Sequence, residues 1–300
     1  MLTDRFDEAL SYASRLYREQ RRKGTTIPHV AHLLAVASIA MENGADGRLT
    51  QRLRDGGTLP FTHVVVDEAQ DLSVAQARFL AAVGQGREDA LFFTGDLGQR
   101  IFHLPFSWAK LGLDVRGRAQ VLKVCYRTSH QIRRLADRLL APTLVDQDGI
   151  EEDRRGTVSG FDGLEPDVAL YDDDLAKIVG VTEWLAAALV EGIAPSELAV
   201  LVRGRERLAR VRAAAERDHT SVSVVTMHEA KGLEFRGVAV MALDEDVMPD
   251  AARLAAVGDV ADLEAIHETD RHLLYVAATR ARDRLRLSGT SPGSEFLDDL

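Results

Sequence analysis

Two adjacent carboxylates, Asp67 and Glu68, end the apolar run Val64-Val65-Val66 within FTHVVVDEAQD. A buried strand emerging at this point would present both acids at its carboxyl edge, where ligands bind in open α/β sheets. There Asp67 could hold Mg²⁺ directly or through water, and Glu68 could orient or deprotonate an attacking water. The same pair would equally suit the start of a helix, whose positive dipole end favours acids. On these residues alone both readings stand.

The next apolar run, in ALFFTGDLGQRIF, ends in Thr94-Gly95-Asp96 and places Gln99 within reach of the same edge. A neutral amide can donate to a γ-phosphate oxygen and accept from water, so Gln99 suits a sensor. Phe102, Phe106 and Trp108 follow. Exposed aromatics here could stack on bases, although Phe106 and Trp108 read more simply as core.

Arginine is the residue for charge that accumulates on a transferred phosphoryl group. Two stand at joints between elements. Arg127 follows Tyr126 in VLKVCYRTSHQI, ahead of a helix with Thr128 or Ser129 as N-cap. Arg280 ends an apolar helix in HLLYVAATRARDRLRLSG. A surface charge for Arg127 and a helix C-terminal cation for Arg280 are the alternatives. If they serve one site, both guanidinium groups converge on Asp67, Glu68 and Gln99.

SVSVVTMHEAKGLEF is the most specific segment. A β-branched strand ends at Thr226-Met227-His228, a turn carries Lys231-Gly232, and Glu234 leads into the next strand. Thr226 and His228 would contact a phosphodiester or base, and Glu234 would accept from a ribose hydroxyl.

The elements that must position these groups alternate. Strands are expected at 61–66, 90–94, 120–125, 198–203, 222–226, 237–242 and 284–288, with helices at about 73–83, 129–140, 174–190, 206–217 and 270–281. This alternation predicts a parallel, doubly wound α/β arrangement. Residues 141–167 read as a surface excursion. Upstream, residues 4–23 and 28–43 carry helical periodicity, and the glycine-bearing stretch Gly44–Pro60 reads as a linker.

Three hundred residues with 46% hydrophobic content can bury a full core. A net charge of −10 argues against a polyanion-binding surface over the whole protein, while leaving room for a local basic groove. The single cysteine, Cys125, excludes an internal disulfide. The acidic, amphipathic start carries no secretory signal, and no apolar stretch approaches the ~20 residues of a membrane span. A cytoplasmic location without membrane contact is expected. None of the 23 glycines is followed by lysine, so these residues hold no Gly-Lys-Ser/Thr phosphate loop.

In order, DEAQD, TGDLGQRIF, CYRTSHQI, TMHEAKGLEF and LLYVAATRARDRL resemble motifs II to VI of superfamily 1 helicases of the UvrD/Rep/PcrA type, over about Phe61 to Leu300. The resemblance implies RecA-like P-loop NTPase domains, ATP with Mg²⁺ as cofactors, single-stranded DNA as partner and 3′-to-5′ movement. It makes Asp67 the Mg²⁺ ligand, Glu68 the catalytic base, Gln99 the γ-phosphate sensor, and Arg127 and Arg280 the fingers. Tyr126 would stack on adenine and Glu234 hold the ribose, while Phe102, Thr226 and His228 would face DNA.

Several positions depart from the family pattern. Leu104 and Pro105 replace the usual Trp and Arg of motif III, Cys125 replaces the motif IV asparagine, and the large second-domain insertion between Val202 and Val224 is absent. The first fifty residues, through FDEALSYASRLYREQRRKGTTIPHVAHLLAVASIA, resemble the opening helices of HD-type phosphohydrolases related to SpoT and RelA, with His32 at the first metal-ligand position. The His-Asp pair such a site requires does not follow.

The expected organisation is therefore an HD-like helical fragment at 1–46, a linker at 47–60, a partial first RecA-like domain at 61–125 and a near-complete second at 126–300. The expected function is that of a helicase-derived ATPase, inactive alone and completed by a protein that supplies the missing first-domain portion. A non-enzymatic nucleic-acid- or protein-binding remnant and an HD nucleotide hydrolase are the alternatives.

Overall fold

The structure is a computed structural model and describes residues 63–102, 105–209, 211–212 and 222–300. The readings made for residues 1–60, including the HD-like segment with His32, lie outside the described residues, as does Leu104. The described chain falls into two compact units.

The first unit takes in the described residues up to Val66 together with Ala75–Phe92. Strand β1 (Val64–Val66) pairs with β2 (Leu91–Phe93), and helix α1 (Val74–Gly84) connects them. At Gly84 a Cβ would lie 2.7 Å from Leu91 Cδ1, so a larger residue at the end of this helix would push the Leu91 side chain aside.

The second unit comprises Asp67–Val74 and Phe93–Leu300. It runs through β3 (Val124–Cys125), α2 (His130–Ala136), β4 (Thr143–Val145), β5 (Glu151–Asp153) and β6 (Val158–Ser159). Then come β7 (Asp167–Tyr171), α3 (Asp174–Val190), β8 (Leu198–Val202), β9 (Ser223–Thr226) and β10 (Phe235–Met241). Helices α4 (Ala251–Leu254) and α5 (Val260–Ala278) precede the last strand, β11 (Ala281–Thr290).

Five of these strands form one sheet in the order β7-β11-β10-β8-β9, every pair parallel. All five residues of β8 are buried, as both-face coverage of a central parallel strand requires. Successive side chains point to opposite faces. Accordingly Leu201, Val238 and Val240 join one core with Ile132 and Leu273, while Val200, Val202, Ala239 and Met241 join another with Trp184 and Leu185. Asp173 caps α3 by accepting from Ala176 N at 2.8 Å, and Asp259 caps α5 from Asp262 N at 2.9 Å.

The sequence reading differs from the structure in several places, and the strand expected at 120–125 is only Val124–Cys125. Residues 141–167 are no bare excursion. They hold the antiparallel β4–β5 hairpin and β6, which pairs in parallel with β3. Strand β7 at the sheet edge was not expected. Helix α5 begins at Val260, well before the expected 270, because its first turns are polar and solvent-facing and lack the dense apolar run that marks its end. Among the described residues, no helix is long and apolar enough to cross a membrane.

Candidate functional site

All the residues that follow belong to the second unit. Asp67 Oδ1 accepts from the Thr94 hydroxyl at 2.5 Å and from Glu68 N at 2.9 Å. The Thr94 bond, with help from the Glu68 N–H and the Arg127 guanidinium, holds this exposed carboxyl below the usual carboxylate range. Both bonds fall on one oxygen of an ionised group.

Glu68 adopts left-handed φ 53° and ψ 43°, a conformation that costs a non-glycine residue about 1 kcal/mol. It is held there by Ala69 N donating to Thr94 O at 2.9 Å and by Gln70 Nε2 donating to the Glu68 carboxylate. The buried Gln70 uses its other end to accept from Asp96 N at 3.1 Å. A Cβ on Gly95 would sit 2.6 Å from Gln70 Oε1, so the glycine of Thr94-Gly95-Asp96 makes room for this clasp.

Gln99 is the meeting point of three segments. Its Nε2 donates to Asp96 Oδ2 at 2.9 Å, its Oε1 accepts from Arg280 Nη2 at 2.9 Å, and its carbonyl accepts from Lys231 Nζ at 2.5 Å. A carboxamide offers two N–H donors and two lone pairs, so one of each remains for a phosphate oxygen and a water. Lys231, whose side chain is 6% exposed, also pairs with Asp71 Oδ1 at 2.6 Å and lies 5.3 Å from the Phe102 ring centre.

Arg280 lies at the start of β11 and is 1% exposed. Its Nε donates to Val276 O at 2.9 Å and its Nη1 to Leu233 O at 3.3 Å. Burial, and then the neighbouring Arg127 guanidinium, push its pKa down to about 10, so it stays charged at neutral pH. Arg127 Nε pairs with Glu234 Oε2 at 3.0 Å in a half-exposed ion pair. The structure thus brings Asp67, Glu68, Gln99, Arg127, Arg280 and Glu234 into one electrostatic neighbourhood. Its arginines are engaged by Gln99 and Glu234. Tyr126 is 79% exposed and rests against Gly160, where a Cβ would come within 3.2 Å of its ring.

The residues expected to face DNA divide. Phe102 is half exposed, and its ring centre lies 6.2 Å from that of His228. Burial, then Arg203, lowers the His228 pKa, so the imidazole is held neutral. Thr226 is buried, and its hydroxyl donates to Glu229 Oε2 at 3.0 Å and accepts from Glu229 N at 3.2 Å, closing the turn on itself. Phe106 and Trp108 are partly buried and pack edge to face at 4.9 Å, with Phe93 5.2 Å from Trp108. Ser129 rather than Thr128 takes the N-cap position of α2, without a side-chain bond.

Sequence reasoning missed Glu152 and Arg154, and it read Lys231 only as part of a turn. The Asp148-Gly149 pair between two short strand-like runs is a hairpin signal, but it marks the turn and not the two side chains that the hairpin carries back.

With this geometry established, comparison with known proteins adds two family matches. Residues 10–110 match the UvrD/REP helicase N-terminal domain, and residues 197–291 match the UvrD-like helicase C-terminal domain. The first match begins at residue 10, so the segment with HD-like resemblance falls largely inside a helicase match. The chain is 30% identical over 267 residues to DNA helicase IV of Escherichia coli, covering 80% of this chain and 36% of that protein. It is 28% identical over 197 residues to the ATP-dependent DNA helicase UvrD2 of Mycobacterium tuberculosis, covering 61% of this chain and 26% of that protein. With the ATP-dependent DNA helicase PcrA of Bacillus subtilis it shares 40% identity over 76 residues, covering 25% of this chain and 9% of that protein. The chain therefore spans about a third of the length of DNA helicase IV and less of the others. The ordered motifs, the parallel α/β sheet of RecA-like type and matches to both helicase domains agree: the chain belongs to the UvrD/Rep/PcrA-like superfamily 1 helicases.

Proposed function

We propose that this chain carries the hydrolysis-sensing and DNA-coupling part of an ATP-dependent DNA helicase that moves 3′ to 5′ on single-stranded DNA. The observation that carries the reading is the junction at Gln99, bonded at once to Asp96, Arg280 and Lys231. A γ-phosphate sensor must be tied to the carboxylate segment, the finger and the DNA-facing loop. The Arg280 and Lys231 bonds supply the last two ties, and Asp96 N, donating to Gln70 Oε1, supplies the first.

In this reading Asp67 ligates Mg²⁺, Glu68 orients or deprotonates the attacking water, and Gln99, Arg127 and Arg280 address the γ-phosphate. Tyr126 offers its face to adenine, Glu234 accepts from the ribose, and Phe102 and His228 meet DNA on a loop shaped by Thr226. Asp67 suits the metal because it is ionised and exposed. Among the described residues there is no cluster of three metal-ligating side chains. Phosphate oxygens and water would supply further ligands, as Mg²⁺ commonly takes them.

Backbone N–H groups and a lysine usually bear most of the phosphate affinity, and no Gly-Lys pair occurs in these 300 residues. The proposal assigns the phosphate cradle to a partner or to chain beyond these residues. Alone, these residues should bind nucleotide weakly and hydrolyse none, even with Mg²⁺ and single-stranded DNA. Titration with a fluorescent ATP analogue should show affinity falling about ten-fold in Tyr126→Ala, the weight of one stacked base. Affinity unchanged in both Tyr126→Ala and Glu234→Ala would overturn the assignment of the nucleotide. Robust turnover abolished by Glu68→Gln would overturn the separate cradle.

A further inference from the structure

Beneath Gln99 lies a layer of charge that no motif marks. Arg154 follows the β4–β5 hairpin, and its side chain is 10% exposed. Its Nη1 donates to Asp96 Oδ1 at 3.2 Å and to Glu152 Oε1 at 2.6 Å. Its Nη2 donates to Asp137 Oδ1 at 3.2 Å and to the Tyr275 hydroxyl, whose ring centre lies 4.8 Å from the guanidinium carbon. Glu152 Oε2 accepts from Leu97 N at 3.0 Å. The hairpin thus grips both the backbone and the carboxylate of the loop that carries Gln99.

Asp96 divides its two oxygens. Oδ1 takes Arg154 and Gly98 N, the latter at 2.8 Å, while Oδ2 takes Gln99 Nε2. A carboxamide is nearly symmetric in shape, so its orientation is decided by its partners. An ionised carboxylate only accepts and a guanidinium only donates. Turning Gln99 over would set its oxygen against Asp96 and its NH₂ against Arg280, both repulsive. That discrimination needs the Asp96 carboxylate held in place, and Arg154 holds it at Oδ1.

We propose that Arg154 is a positioning residue for the hydrolysis machinery: by clamping Asp96 it fixes which end of the Gln99 carboxamide meets Arg280. The inference rests on the proposed function only for what Gln99 and Arg280 act upon. The clamp itself is read without nucleotide, so failure of the nucleotide titration and failure of the clamp are separate results.

The test is side-chain amide NMR on the whole 300-residue chain, with the Gln99 signals identified by their loss in Gln99→Leu. In Arg154→Gln, hydrogen exchange at Gln99 Nε2 should rise about ten-fold and the Arg280 Nε resonance should move, because the carboxamide is free to turn. Arg154→Lys, which keeps a cation near Asp96, should recover part of the protection. Asp96→Asn should reproduce the Arg154→Gln result while leaving Arg154 its bonds to Glu152, Asp137 and Tyr275. It therefore decides the matter if Arg154→Gln does not fold. Gln99 exchange within about two-fold of wild type in folded Asp96→Asn would overturn the proposal.

Discussion

Gln99 and Arg280, 181 residues apart, are joined by a 2.9 Å hydrogen bond from guanidinium to carboxamide. The bond links the loop after β2 to the start of β11. It also explains why a cation sits at a position 1% exposed: Val276 O, Leu233 O and Gln99 Oε1 together satisfy a planar fork of donors.

Arg280→Lys should therefore behave as a non-conservative change. An ammonium on a flexible stem cannot serve three acceptors set around a plane. Loss of at least one buried hydrogen bond predicts destabilisation by about 1–3 kcal/mol in urea unfolding followed by Trp184 fluorescence. A change below about 0.5 kcal/mol, the scatter of ordinary surface substitutions, would show that the fork geometry is not used.

Lys231 ties a second pair of segments through Asp71 Oδ1 and the Gln99 carbonyl. Lys231→Met keeps the stem but removes the cation from Asp71 and the donor from the Gln99 carbonyl. The expected cost is about 1–3 kcal/mol, the weight of charge-assisted hydrogen bonds lost at a site where Asp71 is 25% exposed. Adding Asp71→Asn to Lys231→Met should recover about 1–2 kcal/mol in a double-mutant cycle. Strictly additive costs would mean that the two residues do not act on each other.

How far the sequence discloses this arrangement depends on what each residue is doing. Strands β8 and β10 are legible because LAVLV and GVAVM are buried on both faces, which demands continuous apolar runs. Asp67, Gln99, Arg127 and Arg280 stand out because their types suit phosphoryl chemistry and they fall at the joints between elements. Glu152 and Arg154 do not. In a stretch of mixed charge they look like solvated residues, and only the hairpin's return against Asp96 buries them. Thr226 shows the other limit: its type suits a phosphodiester, and the sequence does not disclose that Glu229, three residues on, also engages its hydroxyl.

A buried histidine and a half-buried one set a pH dependence. Burial holds the His272 imidazole below its ordinary pKa, with Arg100 adding to the effect and Glu268 opposing it, and His228 shifts the same way. Between the folded and unfolded values the unfolded chain binds more protons, so stability rises with pH. The contribution is present above about pH 6.5, the unfolded value, and is lost as pH falls through the folded values. His272→Phe removes a group whose Nδ1 has no hydrogen-bond partner. It should flatten the stability profile below pH ~6.5 by at most about 1.4 kcal/mol per pH unit, the weight of one proton. An unaltered slope would place the titration elsewhere.

At the carboxyl edge of the sheet, Lys177 and Asp244 form a 2.5 Å ion pair with side chains only 2% and 4% exposed. Lys177 lies on α3, and Asp244 follows β10. Asp244 also accepts from Thr290 N at 2.7 Å, Thr290 Oγ1 at 2.9 Å and Arg207 Nη1 at 3.1 Å, so a single carboxylate fastens the ends of two strands to a helix. Asp244→Asn would leave the Lys177 ammonium out of water with the half-exposed Asp174, 3.0 Å away, as its remaining carboxylate partner. The expected loss is about 2–4 kcal/mol, set by an ammonium left out of water with one half-exposed carboxylate rather than by the worth of the pair. Lys177→Met combined with Asp244→Asn should therefore be more stable than Asp244→Asn alone, because the second change removes the charge that the first one stranded. Chemical denaturation of the two single variants and the double variant measures this. A double variant less stable than Asp244→Asn would mean that Lys177 is held in place by its packing and that the ion pair does not control this edge of the sheet.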